Sequence, residues 1–245
     1  MLYVFYRLAV ATFFGSSTVY SVMYFDSYSH WIIYLTHWSY SVITINTILQ
    51  AVCVTRHYIN GNKQATDKAH LQMSPVFKVI WVLQNITFTS APLVSAIYWP
   101  AVYRGTALDL INISTHIVNS GYVVVDVFIT AIPVRILHFL HVVAFATVYI
   151  LFTVIYWASG GTNVYGEPFV YSILDYGNEP SKAADWLIGV YVALVLIHCG
   201  IYALYRLRVL LSGLCGRRDV SVECEDGETV ESAPRDTKIE ELQMV

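Results

Sequence analysis

Six apolar runs, each near the roughly 20 residues needed to cross about 30 Å of hydrocarbon, make up most of this chain. They cover approximately residues 3–25, 31–53, 76–99, 110–132, 136–158 and 184–205. A soluble helical enzyme of this length needs charged outer faces, and about a quarter of its residues carry charge. Here 13% are charged and 56% are hydrophobic. Many of the 19 Tyr and 6 Trp lie near the ends of the apolar runs, where amphipathic rings anchor helices at the membrane–water interface. The expected fold is all-α: a polytopic membrane protein, a bundle of six transmembrane helices over residues 1–211. The first run is longer than the about 7–15 apolar residues of a cleaved secretory signal, so it reads as a retained signal anchor.

Charge placement sets the orientation. Arg56, Lys63 and Lys68 lie in the second link, Arg135 in the fourth, and Arg206, Arg208, Arg217 and Arg218 beyond the last run. The first, third and fifth links carry only Arg104 and Lys182. By the positive-inside rule both termini are cytosolic. Residues 212–245 form an acidic tail without an apolar run able to pack, so it reads as disordered. Its terminal Gln243-Met244-Val245 faintly matches a carboxylate-capturing partner domain. The fifth link, 159–182, mixes turn formers with aromatics and fits either a solvated connector or a lid folded over the outer end of the bundle. No cysteine lies in an outer link, so disulfides are not expected; Cys215, beside Arg217 and Arg218, is a candidate for S-acylation.

The fourth run departs from an ordinary lipid-facing helix. At ~100° per residue, Asn112, His116, Asn119, Val123 and Asp126 fall within a sector of roughly 80°. Such a stripe must face protein or water, because hydrocarbon offers it no partner. Thr36 in the second run and His116 in the fourth both lie roughly 7–9 Å below the outer edge of the hydrocarbon, at 1.5 Å per residue. A hydroxyl and an imidazole at one depth fit a nucleophile and its general base, with Asn112 one turn away to orient the ring. They also fit ordinary interhelical hydrogen bonding. Asp126, about 15 Å deeper, is expected to pair with His141 across the short fourth link, with His138 and Arg135 nearer the cytosolic surface. His198 reads as an isolated, packed core residue, and His37 and Trp38 as facing lipid or another helix. There is no phosphate-binding glycine loop, zinc-type Cys/His spacing or basic stripe, so no cofactor, metal or nucleic acid is expected.

The run AIPVRILHFLHVVAFATVYILFTVIYWASGGTNVYGEPFVYSILDY, with IIYLTHW and HIVNSGYVVVDVFITAIPVR, resembles the rolling stone family of multi-pass membrane proteins. The likeness extends over nearly all six runs. It departs at the start, where the chain opens almost directly on the first run, and in the acidic tail. That family is associated with myoblast fusion and muscle differentiation. A more distant resemblance is to the androgen-induced and androgen-dependent membrane proteins, threonine hydrolases of fatty acid esters of hydroxy fatty acids. Their Tyr-Leu-Thr motif corresponds to Tyr34-Leu35-Thr36, and their Asn, His and acid pattern to Asn112, His116 and Asp126.

Two functions follow as expectations. One is an intramembrane hydrolase of lipid esters with Thr36 as nucleophile and His116 as base, supported by a polar stripe of Asn112, Asn119, Asp126 and His141. The other is a non-catalytic membrane protein acting in cell–cell fusion or differentiation through protein partners at the cytosolic tail. A transporter is disfavoured because neither broken helices nor an internal repeat is evident. The expected location is the plasma membrane or the endoplasmic reticulum, among membrane lipids.

Overall fold

The computed structural model describes residues 1–25, 28–60, 74–103, 105 and 110–223, and among them every regular element is helical. Eight α-helices follow in order: α1 Leu2–Met23, α2 Tyr28–Trp31, α3 Leu35–Asn60, α4 Pro75–Ile97, α5 Leu110–Ile113, α6 Asn119–Ile129, α7 Phe139–Ala158 and α8 Pro180–Glu223. Two π-turns, Tyr98–Val102 and Ser114–Val118, extend α4 and join α5 to α6. Proline marks the ends. Pro75 opens α4 at a position whose N–H has no intrahelical acceptor. Pro133 lies in the extended link after α6, where the ring forbids further helix, and the Trp81 Nε1 donates to its carbonyl at 2.8 Å.

Helix α4 is central. It packs against α3 on one side and against α6 and α7 on the others, while α1 packs on α3. The packed faces are polar and the outward faces apolar, the reverse of a soluble bundle. Gln84, Asn85, Thr87, Thr89 and Ser90 of α4 are all buried, whereas Ile45, Val125, Leu151 and Ile188 are more than half exposed. Such outward Ile, Leu and Val side chains match hydrocarbon rather than water. An aromatic knot of Phe14, Tyr40 and Tyr122 ties α1, α3 and α6 together, with edge-to-face ring centroids 5.1–5.4 Å apart. A second cluster, Leu93, Val142, Ala146 and Leu194, joins α4, α7 and α8.

Among the described residues, four stretches are long and apolar enough to cross a membrane: Leu2–Met23, Pro75–Val102, Ile136–Ala158 and Pro180–Leu214. The other two expected runs are helical but differ from this pattern for visible reasons. Helix α3 has 26 residues, yet it buries His37, Ser39, Thr44, Asn46, Thr47 and Gln50, which lower its apolarity. The fourth run is divided, with its π-turn separating the 4 residues of α5 from the 11 of α6.

Three expectations need correction. The second run does not begin as one helix at Trp31, because α2 ends there and α3 starts only at Leu35. Helix α8 continues to Glu223, beyond the expected domain edge at 211. The Asp126 carboxylate pairs not with His141 but with Arg7 of α1, at 2.8 Å, with both side chains at most 1% exposed. The local candidates were nearer in sequence, but α1 packs so that a full cation reaches the acid. Met1–Tyr205 form one compact unit and Arg206–Val245 a second. Lys63, Lys68, Arg104, Cys224 and the terminal Gln243-Met244-Val245 lie outside the described residues.

Candidate functional site

At the end of the bundle where α3 begins, a cavity of about 470 Å³ is walled by Thr36, His37, Tyr98, Asn112, His116 and Tyr171, among others. Thr36 occupies the first turn of α3, whose His37 and Trp38 N–H groups donate to the Tyr34 carbonyl. The Leu35 N–H donates to the Tyr171 hydroxyl at 3.0 Å, and that hydroxyl also contacts the Thr36 side chain. Burial pushes the Tyr171 phenol up to about 12. It therefore keeps its proton throughout the physiological range.

His116 lies within the π-turn Ser114–Val118, and its ring stacks on Tyr98, itself the first residue of the other π-turn. The centroids are 3.5 Å apart and the planes 3° from parallel. Single π-turns inside α-helices are rare and recur at functional sites. Tyr98 donates its hydroxyl to the Asn112 Oδ1 at 3.0 Å, so Asn112 acts on the imidazole through the tyrosine that covers it. The His116 Nδ1 is buried with no hydrogen-bond partner among the described residues. A buried polar atom left unpaired costs about 1–3 kcal/mol, which a bound proton donor or acceptor would relieve.

The sequence pattern put His37 against lipid or another helix, and the cavity wall contains it instead. The chain folds back between α2 and α3, so the Trp31 ring stacks on His37 at 4.4 Å, while the His37 Nδ1 donates to the Trp31 carbonyl. That bond fixes the tautomer and leaves Nε2 as the basic nitrogen. His37 is 6% exposed and close enough to His116 to interact electrostatically. Trp38 turns away and packs on Tyr149 and Phe152 of α7.

The link 159–179 folds back over this end. Gly160 and Gly166 turn the chain with φ of 78° and 79°, values that favour glycine. The Asn163 side chain, 6% exposed, accepts from the Tyr165 and Glu167 N–H groups and holds the loop tip together. Asn163, Val170 and Tyr171 all wall the cavity, so the loop covers it as a lid does.

The structure thus gathers Thr36, Asn112 and His116 around one cavity and separates the remaining stripe residues from it. The Asn119 amide donates to the Thr115 and Ala91 carbonyls, and its Oδ1 accepts from Ser95 and Ser120, so it joins α6 to α4. Asp126 is the centre of a deeper network. Beyond its ion pair with Arg7, it accepts hydrogen bonds from Tyr6 at 3.0 Å, Gln84 at 2.8 Å and Tyr122 at 3.2 Å, and Gln84 in turn accepts from Asn46 and Gln50. His141 lies beside His138, with ring centroids 5.2 Å apart. His198 is buried but not isolated, since it bonds to Thr89 and to the Arg135 carbonyl.

Below the cavity lies a small apolar slot of about 70 Å³, and Thr36, Tyr98, Val102 and Tyr171 wall both spaces. Thr36 therefore stands at the boundary between a polar chamber and an apolar one. Such an arrangement suits a ligand with an aliphatic chain and a polar group next to it.

Comparison with known proteins is consistent over most of the length. The family described as Protein rolling stone matches residues 1–217. Protein rolling stone of Drosophila melanogaster is 29% identical over 215 residues, which cover 84% of this chain and 78% of that protein. No solved structure matches. With a family match across both the apolar helices and the cavity residues, this integral membrane protein belongs to the rolling stone family.

Proposed function

We propose that the chain is an intramembrane threonine hydrolase of lipid esters, crossing the bilayer six times with both termini in the cytosol. The observation that carries this reading is a single cavity walled by Thr36, His37 and His116 and adjoining an apolar slot. The resemblance of Tyr34-Leu35-Thr36 and of Asn112, His116 and Asp126 to the membrane threonine hydrolases supports it independently. The six-span count rests on α3 and the divided fourth run, whose polar residues face inward while Ile45, Ile48, Val124 and Val125 face out.

In the reaction, the Thr36 Oγ attacks the ester carbonyl while its proton passes to His116. The tetrahedral oxyanion develops beside the first turn of α3, where the helix dipole favours negative charge. The protonated Tyr171 phenol is a further donor. Collapse breaks the bond to the leaving alkoxide, which takes the proton from His116 and departs as the alcohol. Water then loses a proton to His116 and attacks the acyl-Thr36 ester, releasing the fatty acid and returning the proton to Thr36.

The test is labelling of purified protein with a fluorophosphonate, alongside hydrolysis of a fatty acid ester in micelles. Wild type labels and hydrolyses; well-folded Thr36→Ala and His116→Ala do neither, and Thr36→Ser retains both. Undiminished hydrolysis in Thr36→Ala overturns the reading.

A further inference from the structure

We propose that lipid esters reach Thr36 sideways, from within the bilayer, through an entrance between α4 and α8 gated by Trp186. This rests on the hydrolase reading for its purpose but not for its location.

A third space, of about 400 Å³, lies on the outer flank of the bundle between the end of α4 and the beginning of α8. Its walls are Ala96, Ile97 and Pro100 from one side and Trp186, Gly189 and Ala193 from the other. Ile97, Trp186 and Val190 also wall the apolar slot beside Thr36, so these side chains form the partition between groove and slot. From the groove inward the order is therefore lipid-facing surface, partition, slot, Thr36 and polar chamber.

Several independent features suit an entrance here. The two helices meet at Leu93 and Leu194, packed with Val142 of α7, which form a floor below the groove. The flanking α8 residues Ile188 and Val192 are 63% and 54% exposed, so the groove opens where acyl chains lie. Small residues keep it open, and a Cβ at Gly189 would meet nothing within 4 Å. At the rim stand Lys182 and Asp185, of which Lys182 pairs with Glu179 at 2.7 Å with both side chains exposed. Charged groups at that level fit the headgroup region, with the apolar groove extending below them. The occupant is thus a long-chain ester of the leaflet on the Thr36 side, with its chain in the groove and its carbonyl passing Trp186.

Gly189→Phe and Ala96→Phe fill the groove from opposite helices without touching the cavity. In vesicles, both are expected to slow hydrolysis of a membrane-embedded long-chain ester by about tenfold or more, the scale on which an apolar subsite discriminates. Hydrolysis of a water-soluble acetate ester, which enters from the polar chamber, stays near the parental rate. Trp186→Ala is expected to accelerate the long-chain ester alone. A second readout does not depend on chemistry: a diazirine-bearing fatty acyl ether, which cannot be hydrolysed, cross-links to residues 182–193 in wild type and in Thr36→Ala. It fails to do so in Gly189→Phe. Equal loss on both esters, no loss on either, or cross-linking that ignores Gly189→Phe overturns the entrance. A wild type that cross-links at 182–193 but hydrolyses no ester overturns the hydrolase reading while supporting this route for a lipid ligand.

Discussion

Replacing Arg7 and Asp126, singly and together, tests the deepest feature of the bundle. The pair is 2.8 Å apart, with the side chains 1% and 0% exposed. Arg7→Met leaves the Asp126 carboxylate buried with Tyr6, Tyr122 and Gln84 as its remaining donors. Breaking a buried ion pair from one side costs about 3–5 kcal/mol, and these three donors hold the loss toward the lower end. Asp126→Asn leaves a buried guanidinium with the Tyr3 hydroxyl and the faces of Tyr3 and Tyr6, 5.0 and 5.2 Å from the cation. Those ring contacts recover about 0.5–2 kcal/mol of a comparable loss. In the double variant neither charge remains. The residual cost comes from Gln84 and Tyr122, whose donors lose the second carboxylate oxygen, at about 1–3 kcal/mol for each unsatisfied group. The double variant is therefore no less stable than either single variant, with a coupling energy near the upper end of the about 0.5–3 kcal/mol range seen for contacting residues. The assay is reversible unfolding in mixed detergent micelles, followed by tryptophan fluorescence. Single losses that add to within about 0.5 kcal/mol would mean that the two side chains do not meet, and would refute the argument.

Other consequences are open to the same kind of check. Tyr98→Leu removes the ring stacked on His116 and should lower ester hydrolysis through kcat more than Tyr98→Phe, which keeps the stack and loses only the bond to Asn112. Tyr171→Phe deletes the acceptor for the Leu35 N–H, and should reduce turnover and cost up to about 1–3 kcal/mol in the same unfolding assay. Gln84→Leu removes the junction between Asn46, Gln50 and Asp126, and is expected to cost about 1–3 kcal/mol per orphaned buried partner, read by the same unfolding assay. Asp175 gives a pH dependence: hydrogen bonds from the Asn178 backbone and side chain and from the Gly177 N–H hold its carboxyl below the usual carboxylate range. A depressed folded-state value means the bonds contribute above the ordinary carboxylate pKa of about 3.9 and are lost as pH falls through the folded value. Amide exchange at Gly177 and Asn178 should accelerate over that acidic window, and Asp175→Ala should show the fast rate at every pH.

The helices and their membrane character are legible from apolar runs alone, because run length and the lack of charge depend on no tertiary detail. The inward turn of the polar stripe is legible too: Asn119, Val123 and Asp126 are buried, while Ile117, Val124 and Phe128 on the opposite face are at least 40% exposed. What escaped the sequence depends on departures from a straight helix or on distant packing. His37 is displaced from its expected face because α3 starts at Leu35 and Trp31 folds back over it. Tyr98 pairs with His116 through two π-turns that no fixed angle per residue anticipates. The partner of Asp126 is separated from it by most of four helices, and nothing in the spacing of Arg7 distinguishes it from a cytosolic anchor. Tyr171 lay in a loop whose aromatics hinted at a lid but not at the contact with Thr36.

The pairing of Arg7 with Asp126 also bears on the order in which the protein is made. Helix α1 is made well before α6, so Arg7 lacks its Asp126 counter-charge until α6 has been synthesised. Tyr6, its neighbour, is 120 residues from the same carboxylate. An unpaired arginine at that depth holds the first helix toward the lipid headgroups. The arrival of Asp126 lets α1 settle, and brings Tyr122 and Gln84 into register in the same event. Chains that stop short of α6 are thus left with an Arg7 that lacks its Asp126 partner.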